Sequence, residues 1–225
     1  MGARRKSREL ALQALYFLEW QQRNMPQTRD LVTETELRLR SFCSNFRVSE
    51  TNLPFFLMLT RGVCYLRPQI DAVIERFSSH WKIHRMASVD RNILRMAVFE
   101  MCCRSDIPHT VSINEAVDLG KIYGTEESGA FINGILDSVR IQMESEPHPW
   151  IEIPEDILKR IEDPSLKPLD ELLRIADMPM QRKPLTSGKT TQDDSLEETS
   201  ERKPRRRKIV QQTAKPAKSA TPSQR

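Results

Sequence analysis

The chain has 225 residues, a net charge of +4 and only 38% hydrophobic residues, which is lean for a fully globular chain and points to a polar segment beside a folded one. The charge is segmental: residues 1–143 carry 19 Lys+Arg against 16 Asp+Glu, 144–179 carry 4 against 10, and 180–225 carry 12 against 5. The longest clean apolar run is FFLML at 55–59, far short of a membrane span, and MGARRKS lacks both a signal-peptide core and the myristoylation pattern, Lys6 standing where Ser or Thr is needed; a soluble cytoplasmic protein with no membrane partner is expected.

The first predicted helix is ARRKSRELALQALYFLEW, residues 3–20. In LALQALYFL (10–18) only Gln13 is strongly polar, the mark of a helix buried nearly all round. Arg4, Arg5, Lys6 and Arg8 stand at its start, where the macrodipole disfavours cations. A second helix is expected over about 28–46 and a third from Asn52 and Pro54 through FFLMLTRGVCYL, with Pro68 kinking it or opening a new helix over 69–80. Ser88 is the expected cap of VDRNILRMAVFEMCC. SINEAVDLGKIYG carries a capping box, Ser112 and Glu115, with Gly124 as its stop. TEESGAFINGILDSVRIQM starts from Thr125 with Glu126 and Glu127 in the first turn and an apolar stripe through Phe131, Ile132, Ile135, Leu136 and Val139. No segment alternates like a strand, so the class is all-α, about seven helices over residues 1–143. Beyond Met143 two short amphipathic pieces, near 154–162 and 168–177, make 144–179 an acidic extension. Residues 180–225 lack the aliphatic content to offset ordering and read as a disordered basic tail.

Chemistry is sparse. The four cysteines (Cys43, Cys64, Cys102, Cys103) form no C-x-x-C and read as reduced structural thiols. His80 and His84 have i, i+4 metal spacing but no third ligand nearby, and Trp81 between them suggests packing. With seven glycines and no phosphate loop or nucleophile elbow, neither a cofactor, a metal nor an enzyme is expected. The cations anchored at the first helix instead make a fixed electropositive patch, helped by exposed N–H groups at the helix end, and nucleic acid is its first-ranked partner.

ARRKSRELALQALY, SVDRNILRMAVFEM and above all IPHTVSINEAVDLGKIYGTEESGAFINGILDSV resemble the transcription antitermination factor NusB family over about residues 3–140. The resemblance implies an all-α fold of two packed helical bundles and no catalysis. It also implies pairing with the ribosomal protein NusE, binding of boxA-like single-stranded RNA, and service to the RNA polymerase antitermination complex in read-through and ribosomal RNA synthesis. By position, the family's Arg-rich start falls on Arg4, Arg5, Lys6 and Arg8, assigned to RNA phosphates. The tyrosine of A-L-Y is Tyr16. The G-x-E-x-S turn supplies Glu126, Glu127 and Ser128, with Phe131 one helical turn on; aromatics at Tyr16 and Phe131 suit splayed bases, though core packing is the plain alternative for both. Glu127 stands where many relatives have Asp, and residues 144–225 have no family counterpart; their acidic-then-basic layout permits a clamp over the RNA site or an extra RNA arm. Competing readings are a protein scaffold or ribosome-assembly adaptor, a homodimer included, and the accessory domain of an RNA-modifying enzyme, which would need a downstream catalytic domain.

Overall fold

Eight α-helices and one 3-10 turn account for the regular structure of a computed structural model that describes residues 2–24, 30–78, 81–146 and 149–168; no strand occurs among them. Helix α1 (Ala3–Asn24) packs with α2 (Leu31–Asn45) and α3 (Leu53–Tyr65) as a first bundle. The second consists of α4 (Arg67–Phe77), α5 (Ser88–Cys103), α6 (His109–Tyr123) and α7 (Ser128–Ser145). Both α1 and α3 also lie against α5, so one core of aliphatic and Phe side chains runs through the two bundles. The expected all-α, two-bundle architecture is what the chain forms.

Close approach of α3 to α5 depends on Gly62, where a Cβ would run into the Phe99 ring. Polar groups then tie the bundles together. Glu19 of α1 receives hydrogen bonds from Arg91 Nη2 (2.9 Å) and Arg95 Nη1 (2.8 Å) of α5, while Arg95 holds Asp71 of α4 through Nε (2.7 Å) and Nη2 (2.8 Å). Burial alone would raise the Glu19 pKa, but the two guanidiniums win and hold it below the ordinary carboxylate range.

Helix starts depart from the sequence reading where a distant partner intervenes. Asp30 caps α2, its Oδ1 accepting from Val32 and Thr33 N–H at 3.0 Å, so that helix begins after residue 30 and not at 28. Pro68 opens α4 in its first turn, as one of the two alternatives required. Ser88 is the first residue of α5 and caps nothing; its Oγ accepts from Arg91. Ser112 is not an N-cap either. Pro108 sets extended backbone and α6 starts directly after it, which leaves Ser112 inside the helix donating to the buried Glu100 Oε2 (2.8 Å). Gly124 does end α6, and α7 begins at Ser128, not at Thr125. The helix LALQALYFL is not buried all round, since Gln13 and Tyr16 face outward.

Beyond α7 the chain folds back as a strap. Helix α8 (Glu155–Glu162) lies on α3, with Ile151 and Ile161 buried. The strap closes over Arg61, which pairs with Glu36 through Nε (2.6 Å) and Nη2 (2.7 Å) and donates to the carbonyls of Asp163 and Ser165. Tyr65 adds its hydroxyl to Glu36. Arg40 holds the Lys167 carbonyl (2.8 Å), and Gln69 bonds both backbone groups of Glu152. The first amphipathic piece of the extension is therefore α8; the second runs on from Pro168 into residues outside those described, as do the basic tail and His80. Burial pushes the Cys102 and Cys103 thiols up to about 12, which keeps them protonated and unreactive.

Candidate nucleic-acid interface

The start of α1 is cationic, but its charges are spoken for to different degrees. Arg8 is only 5% exposed. Its Nε and Nη2 each meet a Glu100 oxygen at 2.8 Å, Ser112 completes that carboxylate, and Nη1 lies 3.4 Å from Glu115. A bidentate buried pair of this kind is a structural bolt between α1, α5 and α6, and it engages the Arg8 guanidinium inside the protein. Arg5 is mostly covered and shared between Glu115 and Asp118, both at 3.2 Å. Burial by itself would lower its pKa, and these carboxylates raise it instead. Arg4 and Lys6 are exposed: Arg4 reaches Asp106 (3.0 Å) and lies over the Phe55 ring (5.4 Å), and Lys6 reaches Glu9 (3.1 Å). With Arg104 also on Asp106, the five cations face Glu9, Glu100, Asp106, Glu115 and Asp118, so the patch is locally balanced and not bare. Exposed ion pairs of this kind contribute about 0–1 kcal/mol and yield to a phosphate at small cost.

Farther along α1 the outward face turns aromatic. Tyr16 is 53% exposed and lines an open groove of about 610 Å³ with Leu12, Phe17, Trp20, Phe46 and Tyr123. Tyr123 is the last residue of α6, and the turn after it carries the G-x-E-x-S residues. There Glu127 sits exposed at the α7 N-cap position. Ser128 is buried; its Oγ accepts the Thr125 N–H (2.8 Å) and fills the space a Cβ at Gly124 would occupy. It clasps the turn from inside and presents no free hydroxyl. Phe131, one turn later, is half-buried and meets Trp81 edge-on, ring centroids 6.0 Å apart. Sequence reasoning missed Trp81, read there as packing, together with Trp20, Phe46 and Tyr123; their aromatic character was visible, but not that the fold leaves them at the surface. No cluster of three or more His, Cys, Asp or Glu able to hold a metal occurs among the described residues, and no described helix is long and apolar enough to cross a membrane.

Residues 5–140 match the family model described as the NusB family, well over half of the chain. The chain belongs to the NusB family. It is 53% identical over 143 residues to the transcription antitermination protein NusB of Desulforapulum autotrophicum, covering 63% of this chain and 93% of that protein. With the NusB of Myxococcus xanthus it shares 46% identity over 147 residues, 64% of this chain and 98% of the relative. Among solved structures it is similar to T. maritima NusB, with 30% identity and a TM-score of 0.51 across 69% of this chain and 96% of that one. The family match ends at residue 140, before the strap at 149–168.

Proposed function

We propose that the protein is a non-enzymatic RNA-binding transcription antitermination factor of the cytoplasm, which binds boxA-like single-stranded RNA together with the ribosomal protein NusE. In this reading it serves the RNA polymerase antitermination complex in read-through and ribosomal RNA synthesis. The observation that carries the reading is the exposed part of α1, cationic at Arg4 and Lys6 and aromatic at Tyr16, in a chain whose NusB relatives are named transcription antitermination proteins. Arg4 and Lys6, with Arg5 after release of Asp118, hold phosphates. Tyr16 and Phe131 offer faces for unstacked bases. Glu127 repels phosphate and accepts base N–H groups, while Arg8 and Ser128 set the geometry from within.

Fluorescence titration of a boxA-like RNA, with and without NusE, tests this. Binding should be tighter with NusE than without it, and Arg4→Gln with Lys6→Gln should weaken it; binding indifferent to both would overturn the reading. A second reading, a protein scaffold or ribosome-assembly adaptor, is favoured by one feature: the groove beside Tyr16 is almost wholly apolar and suits a partner's side chains as well as a base. There Tyr16→Ala weakens NusE binding and leaves the affinity for RNA alone unchanged.

A further inference from the structure

Trp81 is 53% exposed, yet it is held firmly. Its backbone N–H donates to the Ser78 carbonyl (2.8 Å), and the buried Ser78 hydroxyl donates back to the Trp81 backbone carbonyl (2.9 Å). The loop continues into the 3-10 turn Ile83–Arg85, whose first N–H is taken by Glu75 (3.2 Å). These bonds fix the backbone at Trp81, and the edge contact with Phe131 restrains the indole, which reduces the freedom a stacking ligand has to remove. Beside the Trp81–Phe131 pair opens a slot of about 290 Å³, lined also by Phe77, Gly134 and Ile135. Phe77 is in turn backed by Trp150 of the strap (5.7 Å), and Arg76 lies over the Trp150 ring (4.8 Å).

The charges around the slot differ from those at α1. Lys82 and Arg85, both exposed, form no ion pair among the described residues, and no carboxylate lines the slot. An exposed aromatic face with exposed cations one and four residues farther along the chain is a combination suited to a base and its flanking phosphates on a single strand. A protein partner's apolar side chain would use the walls but leave the cations without a role.

We propose that Trp81 and Phe131 form a base-stacking slot for single-stranded RNA, with Lys82 and Arg85 holding the adjacent phosphates. This rests on the RNA-binding reading above and extends it to residues outside the α1 start and the G-x-E-x-S turn. The test uses the full-length protein with NusE and a fluorescent boxA-like single-stranded RNA. Trp81→Ala should lower affinity at least about fivefold, the low end for one lost stack, with Trp81→Phe restoring most of it. Lys82→Gln with Arg85→Gln should reduce the magnitude of the log–log salt slope by about 1.4. Gly134→Leu fills the slot without removing an aromatic; a Cβ there meets nothing within 4 Å, circular dichroism checks that the helices are kept, and the variant should lose affinity as Trp81→Ala does. If these variants bind RNA like the parent while Arg4→Gln/Lys6→Gln does not, the slot is wrong and the general reading stands. If they weaken NusE binding alone, the slot is a protein contact and the proposal fails. If the parent binds no RNA with or without NusE, the general reading fails and the slot with it.

Discussion

At the scale of single residues, the four N-terminal cations divide by burial. Removing the Arg8 side chain strands the Glu100 carboxylate inside the protein, and breaking a buried pair from one side costs about 3–5 kcal/mol. Arg8→Ala should therefore shift the urea midpoint strongly, whereas Arg4→Gln should change stability by less than about 0.5 kcal/mol while lowering RNA affinity. An Arg8→Ala variant of unchanged stability would contradict the role given to that pair. Gly62 provides a second test. Gly62→Ala forces the Phe99 ring out of its place and should cost about 1–3 kcal/mol by overpacking, although alanine is the better helix former. The cationic character of α1 was legible in the sequence, but its neutralisation was not. Arg4 meets Asp106 across a separation of 102 residues and Arg5 meets Asp118 across 113, and no local pattern encodes such pairs.

Among the helices, apolar periodicity located nearly every element, because α1, α3, α5 and α7 each bury a stripe long enough to read. The caps were less legible. Ser112 has the spacing of a capping box, but a buried Glu100 on α5 claims its hydroxyl, and tertiary demand overrides local preference. The strap was legible only as an amphipathic piece; that it would close over Arg61 depends on carbonyls at 163 and 165 meeting a guanidinium on α3. Truncation after Glu146 should lower stability by about 2–4 kcal/mol, from the area at Ile151 and Ile161, and leave the helical content of α1–α7 in place. Circular dichroism during urea unfolding checks both. The Glu19 link between α1 and α5 adds a pH dependence. Its folded pKa is depressed, so the stability it contributes is complete above the ordinary glutamate value of about 4.3 and is lost as pH falls through the lower folded value. Glu19→Gln should destabilise the protein at pH 7 and flatten the acid limb of the stability curve.

On the scale of the whole molecule, two packed bundles expose α1 at its cationic start and again at Tyr16, with residues 7–12 buried between them, and leave Glu127 and Trp81 at the surface. Fold and family were readable from the sequence because GTEESGAFINGILD and its neighbours are so specific. The working face was readable only in part, since exposure of Tyr16 and Trp81 is a property of packing. The central claim is that this surface binds single-stranded RNA through phosphates and stacked bases. Its most direct test is the salt dependence of boxA-like RNA binding by the protein with NusE, for the parent and for Arg4→Gln/Lys6→Gln. At roughly 0.7 per phosphate contact on a single strand, the account predicts that the paired substitution lowers affinity and reduces the magnitude of the slope by about 1.4. Equal affinity and equal slope for the two proteins would contradict it.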